Sequence, residues 1–136
     1  MPPTRKDVTE AELSVLKLLW EEGPAPIRAL TDALYPGGGA SEYATVQKLL
    51  ERLEGKGYVT RKRSVVPHVF RAKVGREHVI ARRLRDLADT LCEGSTMPLL
   101  TQLLGGEERL SDGDVDALRE LVQRLEPADG DEEADR

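Results

Sequence analysis

A chain of 136 residues with five aromatic side chains and a single cysteine, Cys92, has room for one domain and an appendage, with a core built mainly of Leu, Val and Ala. One cysteine excludes a disulfide framework, no apolar run approaches the roughly 18 residues of a membrane span, and the polar start MPPTRKD lacks a secretory h-region, so a cytoplasmic protein without membrane insertion is expected. The net charge of −5 hides a segregation: residues 41–85 carry twelve basic and four acidic side chains, residues 1–40 four and six, and residues 86–136 four and fifteen, which sets a basic segment suited to a polyanion between two acidic ones.

Met1 to Val8 reads as a loose polar arm. Thr9-Glu10-Ala11-Glu12 has the pattern of a capping box, and Leu13, Leu16, Leu19 and Trp20 then recur on one helical face until Gly23-Pro24 stops the helix. Pro26 suits the first turn of a second, short helix, lined by Ile27, Leu30 and Leu34. Tyr35-Pro36-Gly37-Gly38-Gly39 breaks it. With no Lys-Ser or Lys-Thr after the glycines and no parallel strand before them, this run is a turn and not a phosphate cradle. Ser41 is placed to cap a third helix, in which Val46, Leu49, Leu50 and Leu53 face inward. Glu42, Tyr43, Thr45, Gln47, Lys48 and Arg52 are left for its outside or flanks, and Gly55 and Gly57 end it. A strand Tyr58-Val59-Thr60, a basic turn Arg61-Lys62-Arg63 and a returning strand from Val65 to Phe70 follow, with Pro67 marking the return as an edge strand. Two strands alone are marginal in water, so this hairpin must lean on the helices.

Gly75 separates this region from three short helices. Glu77 to about Cys92 carries Ile80, Leu84, Leu87 and Leu91 along one stripe. Pro98 starts a second helix with Leu99, Leu100, Leu103 and Leu104, which Gly105-Gly106 ends. Ser111 to Asp114 resembles a capping box with Asp in the Glu place, ahead of Val115, Leu118, Leu121, Val122 and Leu125. From Pro127 the chain is an acidic tail that cannot form a core. Three small helices, each apolar on one side, cannot all bury those faces within about 50 residues. Pairing with a second copy is the simplest solution. The expected fold is therefore mostly α with a small two- or three-stranded β wing. An arm at 1–8 precedes a winged helix-turn-helix domain at 9–74, a helical dimerisation domain at 75–126 and an acidic tail at 127–136.

No catalytic centre is legible. His68 and His78 have no carboxylate cluster at ligand spacing, Cys92 on an apolar stripe reads as a small buried residue, and no C-x-x-C or H-x-x-x-H set exists. Neither metal nor cofactor is expected. A duplex-DNA interface is legible, because the polar front from Ser41 through Ala44 to Lys48 lies at the end of the third helix that enters a major groove in helix-turn-helix proteins. Tyr43 and Thr45 offer hydroxyls and apolar contact to thymine methyls, Gln47 suits adenine, and Lys48 and Arg52 suit phosphates. Arg61, Lys62, Arg63 and Arg71 on the hairpin suit the backbone or minor groove. The alternative is a winged-helix protein-interaction module whose basic face docks an acidic partner. Preference for one palindrome over random duplex separates the two.

Three runs, TEAELSVLKLLWEEGPAPIRALTDAL, YATVQKLLERLEGKGYVTRKR and HVFRA, resemble the penicillinase-repressor and methicillin-resistance-repressor family. The similarity covers about residues 7–126, with the E-x-x-V-x-x-x-L-W helix and the T-V-x-x-x-L-x-R-L-x-x-K-G helix end its most specific pieces. The resemblance implies a homodimeric repressor on a palindromic promoter operator, with Tyr43, Ala44, Thr45 and Lys48 at positions that meet DNA. It also implies a membrane sensor-protease partner, since members induced by β-lactams are cleaved in the C-terminal arm after such a sensor is acylated. This chain departs from the pattern at several places. Ala44 stands where Thr or Lys is frequent, and Val65-Val66 where the wing tip is commonly Gly-Arg. Three glycines precede the third helix, and Gln102-Leu103 replaces the cleavable Asn-Phe. The paired cysteines of copper-responsive relatives are absent, which speaks against metal induction by that route.

Overall fold

The computed structural model describes residues 7–105 and 110–125. Helix α1 (Glu10–Glu22) starts at the expected box: the Thr9 hydroxyl accepts the Glu12 N–H at 3.2 Å, and the Glu12 carboxylate accepts the Thr9 N–H at 3.0 Å. Its Val15, Leu16 and Leu19 are buried. The start of the chain is less loose than expected. Val8 joins the core, and the backbone carbonyls of Asp7 and Val8 accept hydrogen bonds from Lys56 and Arg83 at 3.1 and 2.8 Å. The rest of that arm lies outside the described residues.

A two-residue strand, β1 (Ala25–Pro26), precedes α2 (Ile27–Leu34). In the turn that follows, Gly38 donates to the Tyr35 carbonyl at 2.7 Å, and a Cβ there would stand 2.9 Å from that oxygen and from Glu42. Helix α3 (Ala40–Lys56) begins two residues earlier than a Ser41 cap implies, with Gly39 as its cap. Ser41 therefore lies inside the helix and does not cap it; the Glu42 carboxylate reaches back to the Gly39 N–H at 2.9 Å. Gly55 is likewise helical, and the stop is Gly57, whose left-handed φ of 88° closes the last turn while the Tyr58 N–H bonds the Leu53 carbonyl at 2.9 Å.

The hairpin is β2 (Val59–Lys62) and β3 (Val69–Ala72), and β1 adds to it, giving one antiparallel sheet in the order β1-β3-β2. Two expectations are corrected here. Arg61 and Lys62 belong to β2, so the turn begins only at Arg63. The returning strand starts at Val69, after Pro67, and is the central strand. Pro67 lies in the connecting loop, where its missing N–H disturbs no ladder. The inner face of the sheet alternates as a pleat requires: Val59 and Phe70 close the core over α1 and α3, with Tyr58 beside them.

Helix α4 (Arg76–Leu91) starts against this core. Val79 is buried, the Trp20 indole donates to the Val74 carbonyl at 2.9 Å, and the His78 ring stands edge-on to Tyr58 at 6.0 Å. The chain divides into two compact units between Leu87 and Ala88, inside α4. The second unit holds α5 (Met97–Gly105) and α6 (Asp112–Arg124), neither of which has a buried residue. Ser111 and Asp114 cap α6 reciprocally at 3.0 and 3.3 Å. Cys92 is half-buried. The acidic tail and Gly106 lie outside the described residues. No helix among those described is long and apolar enough to cross a membrane.

Candidate nucleic-acid interface

Helix α3 is two-sided. Val46, Leu49, Leu50 and Leu53 are buried, each 5 % exposed or less, whereas Ser41, Ala44, Thr45, Gln47, Lys48 and Arg52 stand in solvent. Ser41, Ala44, Thr45, Lys48 and Arg52 recur every three or four residues and so share one stripe. The Thr45 hydroxyl donates to the Ser41 carbonyl at 3.1 Å, which turns its methyl and oxygen into a fixed pair. No ion pair joins Lys48 or Arg52 to another described residue, so both cations are available to a polyanion.

Tyr43 is half-buried. The Arg28 guanidinium of α2 lies 5.0 Å from its ring centre and reaches Asp32 at 3.9 Å. Sequence reading missed Arg28; the only signal was its place one residue after Ile27, on the flank of the apolar face of α2. Arg28, Tyr43 and Gln47 form one side of a cleft of about 310 Å³, and Val66, Pro67 and His68 of the wing loop form the other. Of α3, only Tyr43 and Gln47, on the flank of that stripe, line this cleft.

The four basic residues expected on the hairpin separate into two groups. Thr60, Lys62, Val69 and Arg71 lie on the outer face of β2 and β3, and with Pro24 and Val65 they line a second cleft of about 580 Å³. Lys62, Arg63 and Arg71 are exposed. Arg61 is on the inner face, opposite Phe70, and is not a free surface cation as expected. Its Nη2 and Nε donate to the two carboxylate oxygens of Glu54 at 2.8 and 3.1 Å, its guanidinium lies 4.7 Å from the Phe70 ring centre, and its Nη1 is 3.3 Å from His68 Nδ1. The hydrogen bond from Arg61, with the charges of Arg61, Arg63 and His68, outweighs burial and holds the Glu54 carboxyl below the ordinary glutamate range. The same bond holds the Arg61 guanidinium above its ordinary value. Glu54 was not singled out from the sequence, and His68 was weighed only as a catalytic or metal-binding residue. Strand alternation carried the signal, because Arg61 follows Val59 by two residues and must share its face.

In α4, α5 and α6 the expected apolar rows are present and largely open to solvent. Leu91, Leu103, Val122 and Leu125 are 60 to 77 % exposed, Ile80, Leu84, Leu87, Leu100, Leu104 and Leu121 40 to 50 %, and Leu99 and Leu118 are half-buried. Gln102 and Leu103 sit exposed in the middle of α5. Among the described residues no group of three His, Cys, Asp or Glu is placed to hold a metal ion.

The sequence model described as "Penicillinase repressor" matches residues 8–124. Among solved structures, a MarR family protein from Bacillus stearothermophilus is similar, with a TM-score of 0.46 and 24 % identity over 88 % of this chain and 74 % of that one. No curated protein matches the chain.

Proposed function

The chain belongs to the penicillinase repressor family of winged-helix transcriptional regulators, which are not enzymes, and on that premise we propose that it represses transcription in the cytoplasm as a homodimer on a palindromic operator. The observation that carries this reading is the mounting of α3, with one face locked into the core and Ala44, Thr45, Gln47 and Lys48 presented on the other. A helix held this way fits a major groove about 12 Å wide. In that placement Ala44 and the Thr45 methyl suit thymine methyls, and the Gln47 amide suits the paired donor and acceptor of adenine. Ser41 at the helix start, with Lys48 and Arg52 further along, suits phosphates. Tyr43, steadied by Arg28, walls the cleft toward the wing. Lys62, Arg63 and Arg71 suit the sugar-phosphate backbone beside the groove and add affinity without sequence preference.

The apolar rows of α4, α5 and α6 support the dimer. Exposed Leu and Val in such number are covered in stable assemblies, and a two-fold copy of the same chain covers like with like. Two linked reading helices then bind one palindrome as a bivalent ligand.

Binding of the full-length protein to its own upstream DNA, against scrambled duplex at physiological salt, tests the reading. The expected result is a preference of about a thousandfold or more for one palindrome, reduced in a Gln47→Ala variant, while Lys48→Ala/Lys62→Ala weakens binding to both duplexes alike. Equal, weak binding to both duplexes would overturn it and assign the basic face to an acidic protein partner.

A further inference from the structure

We infer that Glu54 and Arg61 are positioning residues for operator binding: together they fix the wing against the reading helix, and Arg61 acts on DNA through the wing's placement and not by touching it. The inference rests on the DNA-binding reading above. Glu54 lies in the last turns of α3, the helix that enters the groove. Its carboxylate takes two hydrogen bonds from the Arg61 fork, at 2.8 and 3.1 Å, and its Oε2 lies 3.6 Å from Arg63 Nη2. The same Arg61 guanidinium covers Phe70 of β3 at 4.7 Å and meets His68, just ahead of β3, at 3.3 Å. One guanidinium therefore ties α3, β2, β3 and the end of the wing loop together. Its side chain is only 19 % exposed, and it lines the clefts on both sides of the wing. Lys62 and Arg71, on the opposite face of the same strands, stand where this tie leaves them. A planar fork on a carboxylate fixes direction as well as distance, which a lone cation on a surface does not.

The two roles open to Arg61 give effects of opposite sign. If Arg61 grips phosphate, Glu54 competes for it, and removing Glu54 tightens binding. If Arg61 is a brace, removing Glu54 lets the wing and α3 drift apart. Operator affinity then falls, while binding to random duplex, which needs only cations, holds or rises.

The experiment measures the Kd of full-length wild type, Glu54→Gln and Arg61→Lys for the upstream palindrome and for a scrambled duplex of the same length. Arg61→Lys keeps the charge and loses the fork. Both variants should bind the operator about tenfold more weakly, close to the coupling seen between residues in one ion-pair network, with scrambled-duplex binding within about twofold of wild type. The charge-swapped double variant Glu54→Arg/Arg61→Glu should recover part of the loss. A Glu54→Gln protein that binds the operator as tightly as wild type, or more tightly, overturns the brace, as does an Arg61→Lys protein with unchanged affinity. A wild-type chain with no preference between the duplexes overturns the DNA-binding reading itself, and the brace with it.

Discussion

Glu12 has two tasks, and only one of them is written in its neighbourhood of the sequence. As the last residue of the capping box it is predictable from Thr9 alone. Its carboxylate is also 1 % exposed and lies 2.6 Å from Lys56 at the far end of α3, an ion pair across 44 positions that no local pattern announces. The second oxygen, Oε2, is buried without a hydrogen-bond partner, so the carboxylate depends on Lys56 for its compensation. Removing one member of a buried pair leaves an uncompensated charge and costs about 3 kcal/mol or more. Lys56→Met should lower the unfolding free energy by that amount in urea titrations, and Glu12→Gln/Lys56→Met should lose less than the two single losses combined. A Lys56→Met loss below about 0.5 kcal/mol, the range of ordinary surface changes, would show that solvent reaches Glu12. Glu54 gives a pH signature of its own. Its carboxyl titrates below the ordinary glutamate range because Arg61 hydrogen-bonds the charged form. Its contribution is thus complete above the unfolded-state pKa and is lost as pH falls through the folded-state value. The stability gap between wild type and Glu54→Gln should be flat near neutrality and close in mildly to strongly acidic solution. A gap that widens on acidification would contradict the cause assigned here.

At the scale of elements, the helices were legible and the sheet only in part, and the difference has a physical origin. Leu13 to Trp20 and Val46 to Leu53 repeat over several turns, so each helix declares its buried face many times. β1 is two residues long, too short for any alternation, and exists because Ala25 and Pro26 pair with Phe70 and Val69, a long-range event. That pairing makes β3 central, and Pro67, which suggested an edge strand, lies outside the ladder. The sequence sets the start of α3 two residues late because Ser41 is a better intrinsic cap than Gly39. What decided the matter was the tightness of the turn. At Gly38 a Cβ would meet the Tyr35 carbonyl oxygen and Glu42 at 2.9 Å, whereas at Gly39 it would meet nothing within 4 Å. Gly38→Ala must shift backbone at the entrance of the reading helix and should cost about 1–3 kcal/mol. Gly39→Ala meets no such clash and should cost less, about 0.5–1 kcal/mol for replacing a glycine N-cap by alanine. Thermal melts of the pair provide the check, and equal losses would mean that the turn gives way without strain.

For the whole molecule, the segregation of charge matters more than its sum. The chain is acidic overall, yet Lys48, Arg52, Lys62, Arg63 and Arg71 all come from the basic middle segment and stand exposed in the first compact unit, while the apolar rows of α5 and α6 belong to the second. On the proposed reading, the first unit supplies the contacts to phosphate and the second the surface for a second copy. Affinity should then depend on both through different quantities. Leu103 is 60 % exposed on α5 of the second unit. Leu103→Asp places a charge where the second copy must bury an apolar face, so the protein should sediment as a monomer with unchanged helix content. A monomer engages one half-site and neutralises half as many phosphates. Since log Kd rises with log salt by about 0.9 per phosphate contact, the salt slope should fall by about half together with the affinity. Lys48→Ala should behave differently, remaining dimeric and losing about two contacts' worth of slope, one from each copy. A Leu103→Asp protein that stays dimeric would remove α5 from the assembly and leave the exposed rows of α4 and α6 to hold the two copies together, whereas one that becomes monomeric and keeps the full slope would show that a single copy makes all the phosphate contacts.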